Sequence, residues 1–273
     1  MVSIMDMKYL LNTINTNDFF NQYWGCNFLK FRGGDNFFSH FKKLDILKTI
    51  HTIEDAIPLT TFLNQEKTEK MPRYNNAIPV DDYLKNGYTM RVRHLNKLYP
   101  DMAVLFEQME KLFCGNASMN FYASRYPAKG ISPHYDVHHI FALQIAGKKE
   151  WKVSLTQNFQ PRWDFSPAIK TAQTIDYESI ILHEGDILYI PPGFIHKTET
   201  MSSSEHISFA IRMPDTTDLI HTALNDLITK NTVFRTELPI SVIDGTIAPK
   251  KISKSFLTNI VAALSLELEN YTE

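Results

Sequence analysis

Apolar and polar positions alternate with a period of two through the middle of the chain and follow a helical period towards both ends. In NFYASRY, Asn120, Tyr122 and Ser124 fall on one face and Phe121 and Ala123 on the other, because successive side chains of a strand point to opposite sides. In KEWKVSL, Lys149, Trp151, Val153 and Leu155 share a face, with Glu150, Lys152 and Ser154 opposite. Further strands are predicted at FLKF (28–31), at Ile187 to Ile190, from His196 onward, and over SEHISFAIRM. Gly33-Gly34, PAKG (127–130) and Gly185-Asp186 read as the turns between them. Short strands in this number point to a mainly β fold with flanking helices, an all-β barrel or sandwich of the jelly-roll and cupin kind. A strand with a polar interior face, as at Asn120 and Tyr122, suits a barrel that holds a ligand.

The helical period marks the flanks. The first 60 residues are aromatic-rich and predict a short helix through Phe19, Phe20 and Tyr23 capped at Asn17-Asp18, then helices over Asn36 to Lys43 and Asp45 to Ile50. Residues 64–78 are polar and weakly periodic, a surface loop. Asn86-Gly87 ends a helical turn, and Arg91, Arg93 and His94 form a short basic cluster that reads as a solvated face. A helix runs from Asp101 through Val104, Leu105, Met109 and Leu112. The stretch from Gln157 to Tyr177, with Arg162 and Trp163, is a long insertion between strands and a candidate substrate rim. Beyond Pro214 two amphipathic helices, 216–230 and 253–270, flank TELPISVIDGTIAPK. Two domains follow from this pattern: 1–215, a barrel with an N-terminal helical wrap, and 216–273, a helical appendage.

Composition narrows the class. At 273 residues and 44% hydrophobic content the chain can bury a sizeable core. Its 28 basic and 30 acidic residues balance, so nothing announces nucleic acid or an anionic membrane surface. Cys26 and Cys114 form no framework, the N-terminus lacks the pattern of a signal peptide, and no apolar run is long enough to span a membrane; a cytoplasmic protein is expected.

The candidate chemistry lies between Asn120 and His196. His134 and Asp136 stand two apart in a segment of strand-like composition and so project together. His196 follows the turn Pro191-Pro192-Gly193. Two His and one Asp on one side of an ion make the facial triad of non-haem Fe(II) sites, which leaves positions open. Lys149 falls in register with an apolar face, where an unpaired ammonium is costly; it either meets an anion or begins its strand and snorkels out past Gly147.

The run from Asn120 through H-Y-D, F-A-L-Q-I-A-G-K-K-E-W and G-D-I-L-Y-I-P-P-G-F-I-H resembles the JmjC-type, cupin-like 2-oxoglutarate oxygenases, and within them the ribosomal-oxygenase branch, which hydroxylates protein side chains. The likeness spans roughly residues 8–215. It implies a double-stranded β-helix, with Fe(II) held by His134, Asp136 and His196, and 2-oxoglutarate and O2 as cosubstrates. It also implies that Lys149, in the family's G-[KR]-[KR]-x-W position, pairs with the distal carboxylate of 2-oxoglutarate, helped by Asn120. Tyr122, His138, Trp163 and Ser208 are the candidate substrate contacts, and no catalytic group beyond the metal ligands is expected. Val137 stands where an acidic residue often follows the Asp, and His138 and His139 are unusual. The family's branch continues into helical dimerisation elements and a winged helix; the residues after the barrel suffice for the helices alone, so a homodimer is expected and a ribosomal substrate is one candidate among several. Hydroxylation of a free amino acid or other metabolite, or a metal-binding cupin without oxygenase activity, are the alternatives.

Overall fold

The computed structural model describes residues 10–11, 14–34, 38, 41, 44–50, 53–64, 68–70, 80–128, 130–157, 175–230, 235, 240–243, 246–249 and 253–269. It divides into two compact units, Met1–Met213 and Pro214–Glu273. The first is built on strands β1 (Leu29–Arg32), β2 (Thr60–Leu63), β3 (Thr68–Lys70), β4 (Thr89–Val92), β5 (Asn116–Ser124), β6 (His139–Ala146), β7 (Lys148–Gln157), β8 (Tyr177–His183), β9 (Asp186–Ile190), β10 (Phe194–Thr200) and β11 (Ser204–Arg212). Eight of them form one sheet in the order β1-β9-β6-β11-β5-β4-β2-β3, and three form a second in the order β10-β7-β8. Every pairing is antiparallel. His134 adds to the second sheet by an isolated bridge to His196. Two facing sheets with consecutive strands crossing between them make the double-stranded β-helix.

The side-chain period explains where the core sits. On β5, β6, β9 and β11, one set of alternate residues (Met119, Phe121, Phe141, Leu143, Ile187, Tyr189, Ile207, Phe209) faces outward into a large cluster shared with the helices. The other set (Ile140, Ala142, Leu188, Ile190, Ala210) faces the barrel interior, where it meets Trp151 and Val153 of the second sheet. A strand covered on both faces reads as a continuous apolar run rather than an alternation, which is why HIFALQIA on β6 is buried almost throughout.

Helices α1 (Thr16–Gln22), α2 (Ile46–Thr49), α3 (Val80–Lys85) and α4 (Pro100–Phe113) belong to this unit. Phe19 of α1 packs edge-on to Tyr189 at 4.9 Å between ring centroids, and Trp24 stacks on His139 at 3.8 Å. The aromatic N-terminal segment is therefore core material laid on the outside of the barrel. The Asn15 side chain accepts from the Asn17 and Asp18 N–H groups, so the cap lies two residues before the expected pair. Thr68–Lys70 pairs with β2, a strand inside a stretch read as loop. The Asn36 to Lys43 helix, and residues 158–174 with Trp163, lie largely or wholly outside the described residues. In the second unit, α5 (Thr216–Lys230) and α6 (Lys254–Glu269) flank the hairpin of β12 (Ile240–Ile243) and β13 (Thr246–Pro249). α5 buries Ala223 and Leu227, and Lys230 pairs with Glu267 of α6 at 2.6 Å.

Candidate metal centre and cosubstrate cavity

His134 and His196 meet because their strands exchange backbone hydrogen bonds: the His196 N–H donates to the His134 carbonyl at 2.7 Å, and the reverse bond is 3.2 Å. The Gly193 N–H donates to the Asp136 carbonyl at 2.9 Å, tying the Pro-Pro-Gly turn to the same segment. Residues 134–136 thus make one bridge rather than a full ladder strand, and the two side chains still converge. Ligand atoms of His134, Asp136 and His196 all lie within 4.8 Å of one another.

Hydrogen bonds set the imidazoles. His134 Nδ1 lies 2.9 Å from the Ser132 carbonyl and His196 Nδ1 3.0 Å from the Phe194 carbonyl. A carbonyl only accepts, so each Nδ1 carries the proton and each Nε2 presents a lone pair. His196 Nε2 is 3.4 Å from Asp136 Oδ2. Burial pushes the Asp136 carboxyl up, but in the metal-free protein His196 in its imidazolium form, with Nε2 also protonated, and the nearby His134 and His138 outweigh it and hold the group down to about 2. Burial and then His196 lower His134, while for His196 the effect of burial is overcome by Asp136, which raises it. Two neutral nitrogen donors and one anionic oxygen on one side of a shared centre fit a divalent transition metal with positions left open.

Beyond the triad the barrel interior forms a cavity whose walls include Tyr122, Lys149, Trp151, His206 and Ser208. Lys149 is 0% exposed. It shares the interior face of β7 with Trp151 and Val153, and among the described residues no carboxylate pairs with it. Burial pulls its ammonium down to about 7. The snorkelling alternative is therefore excluded by position. The face breaks one turn of alternation further on: Ser154 is buried, with its Oγ accepting the Ile195 N–H at 3.0 Å, and Leu155 is exposed. The ladder shifts register there, between Phe194 and His196.

The structure brings some of the other candidates to this cavity and leaves others outside. Tyr122 and Ser208 line it; Tyr122 stacks on His206 at 4.7 Å with rings 3° apart, and burial pushes its phenol up to about 12, against the pull of Arg91. Asn120 lies on the same face of β5 but not on the cavity wall, and its Oδ1 accepts the His94 N–H at 3.4 Å. His138 is half-buried beside Asp136 and also stands off the wall; burial keeps it below its ordinary value. Arg91 is half-buried opposite Tyr122 rather than on a solvated face. His139 is an aromatic-core residue, its Nδ1 2.8 Å from the Tyr189 hydroxyl. Sequence reasoning missed His206, whose Nδ1 lies 3.4 Å from Lys149 Nζ. Its signal was present, since His206 precedes Ser208 by two and so shares its interior face.

Residues 94–219 match the model of the JmjC domain. Among curated proteins the chain is 28% identical over 236 residues to the bifunctional lysine-specific demethylase and histidyl-hydroxylase NO66 of Dictyostelium discoideum, covering 79% of this chain and 45% of that protein. It is 26% identical over 218 residues to the ribosomal protein uL16 3-hydroxylase of Escherichia coli, covering 78% and 57% respectively. The chain thus spans about half the length of these relatives. The solved structure of YcfD, a ribosomal oxygenase from Escherichia coli, in complex with cobalt and 2-oxoglutarate, superposes with a TM-score of 0.65 at 21% identity, covering 97% of this chain and 69% of that one. The triad, Lys149, His206 and Ser208 all fall inside the matched stretch, so this part of the chain is similar to the JmjC domain, and its cupin-like fold is that of the solved structure.

Proposed function

We propose that this chain is an Fe(II)- and 2-oxoglutarate-dependent oxygenase that hydroxylates an amino-acid side chain within a protein or peptide. The observation that carries the reading is the juxtaposition, in one cavity, of the His134, Asp136 and His196 donor set with a fully buried lysine that no carboxylate among the described residues neutralises. The triad supplies one negative charge to the ion, and Lys149 offers a positive charge for the far end of a diacid whose keto-acid end reaches the open metal positions. When bound, iron with 2-oxoglutarate and O2 would supply the oxidising chemistry: 2-oxoglutarate loses CO2 and takes one oxygen atom of O2 to become succinate, and the other oxygen atom enters the C–H bond. The protein's own part is placement: the two Nδ1–H bonds to backbone orient the imidazoles, Asp136 stays ionised, and the apolar lining of Trp151 and Ile140 keeps the seat of the cosubstrate dry. Asn120 lies one step along β5 from Tyr122, and we assign it a supporting role at the edge of the same site.

A protein side chain is favoured as substrate because the two relatives named above are a histidyl-hydroxylase and a ribosomal-protein hydroxylase. The long segment 157–177, with Trp163, is the candidate wall for a peptide, with His138 on the side of Asp136. The two cysteines are exposed and unpaired, which suits a reducing, cytoplasmic setting, and among the described residues no helix is long and apolar enough to cross a membrane. The C-terminal unit leaves Leu219, Ile220, Ile228, Leu257, Val261 and Leu266 exposed on its two helices, and a homodimer through these faces is part of the proposal. Incubation with iron, 2-oxoglutarate and a cell lysate, followed by peptide mass spectrometry, tests the reading. The expected result is succinate formation with a one-oxygen mass gain on a defined residue; hydroxylation of free amino acids with no modified peptide overturns the substrate class.

A further inference from the structure

Two buried hydrogen-bonding groups on the cavity wall are left without a partner among the described residues. Thr89 on β4 is 2% exposed and Trp151 on β7 is 5% exposed, and both line the cavity. Neither Thr89 Oγ1 nor Trp151 Nε1 has a hydrogen-bond partner among the described residues. Buried polar groups are almost always paired, and an indole N–H can only donate. Two orphans on one cavity wall therefore point to an acceptor supplied from outside the chain.

The strand register places both beside Lys149. Trp151 is two residues along the same interior face of β7. Thr89 stands opposite Ser124, Ser124 Oγ accepts from Thr200 Oγ1 at 2.9 Å, and Thr200 stands opposite Lys149. Lys149 spends one donor on His206: an ammonium cannot accept, so His206 Nδ1 does, at 3.4 Å. That leaves His206 neutral with its proton on Nε2, in keeping with the burial and the Lys149 charge that lower it well below its ordinary value. Lys149, Thr89 and Trp151 all line the one cavity, so the remaining Lys149 donors, the Thr89 hydroxyl and the Trp151 N–H are open to one ligand there. A carboxylate offers roughly four lone-pair sites and accepts such a set in full.

We infer that Thr89 and Trp151 complete, with Lys149, a three-residue seat for the distal carboxylate of the cosubstrate. The inference rests on the oxygenase reading above and adds two binding residues to it. Thr89 lies outside the stretch that matches the JmjC domain, so its hydroxyl enters the barrel from the added strand β4. His206 acts as a positioning residue that points Lys149 into the seat.

Calorimetric titration of the cobalt(II)-loaded protein with 2-oxoglutarate, and in parallel with 2-oxobutyrate, tests this. The second ligand keeps the keto acid and lacks the distal carboxylate. Thr89→Val and Trp151→Phe are each expected to weaken 2-oxoglutarate about tenfold, the size of one hydrogen bond to a charged group. Affinity for 2-oxobutyrate and for cobalt should stay unchanged, and Thr89→Ser should restore 2-oxoglutarate binding. Variants that bind 2-oxoglutarate as tightly as the parent, or that lose both ligands equally, overturn the inference while Lys149→Ala still tests the charge. A parent protein that takes up cobalt and yet binds no 2-oxoglutarate brings down the oxygenase reading, and this inference with it.

Discussion

Lys149 shows how far one side chain can be read from its neighbours. Its place in the alternation with Trp151 and Val153 put it on an interior face, and the fold buries it completely there. A charge-assisted hydrogen bond in such a site is worth about 2–3 kcal/mol. Lys149→Ala should therefore raise the 2-oxoglutarate requirement roughly 30- to 150-fold, with metal affinity kept, as read from cosubstrate titrations at fixed iron. The same burial makes the residue pH-sensitive. Its folded value is near 7 against 10.5 unperturbed, so below pH 7 the folded protein carries the buried charge at full cost. Between the two values the unfolded chain binds more protons, and stability rises with pH. Lys149→Met should accordingly stabilise the cosubstrate-free protein most at low pH, with the gain fading towards alkaline pH in denaturant titrations. Affinity for the dianionic cosubstrate should fall as pH climbs above 7, since the ammonium it needs is then lost. Asp136 is the triad's single anionic ligand: Asp136→Ala should abolish turnover and cut Fe(II) binding by well over tenfold, and unaltered iron binding would remove this residue from the centre.

At the scale of the element, the chain crosses from β6 in one sheet to β7 in the other through a single connecting residue, and so delivers Lys149. Gly147 has φ +68°, and a Cβ there would run into the Ser203 carbonyl oxygen. Gly147→Ala combines a left-handed backbone with a clash against rigid main chain. It should cost about 2 kcal/mol or more, seen as a melting temperature several degrees lower and weaker 2-oxoglutarate binding in the folded fraction. Turn and strand identities were legible here because glycine and alternation are local signals. The cap of α1 was not. Asn15, Asn17 and Asp18 are all competent caps, and the choice of Asn15 follows from where Phe19 must sit to reach Tyr189. Strand β3 hid for a related reason: its polar side chains carry no alternation, and pairing with β2 supplies its order.

For the whole molecule the question is what covers the C-terminal helices. No residue of α6 is buried, and Leu257, Val261 and Leu266 are 50%, 62% and 67% exposed. Apolar surface of this kind is stabilised by association. Leu257→Gln combined with Val261→Gln should convert a dimer to a monomer in sedimentation experiments without lowering iron binding; a wild-type chain that sediments as a monomer at all concentrations refutes the dimer.

The linear order of residues sufficed for the barrel class, for the pairing of His134 with Asp136, and for the candidacy of His196 and Lys149, since side-chain period and turn chemistry act over a few residues. The meeting of Thr89, Trp151 and His206 around Lys149 was decided only by tertiary structure. These four come from three strands, β4, β7 and β11, brought around one cavity by ladders between segments far apart in sequence. Tertiary packing also decided that Asn120 stands off the cavity while Tyr122, two residues on, lines it. A period of two tells which face a side chain takes, and the closure of the barrel tells which stretch of that face meets the ligand.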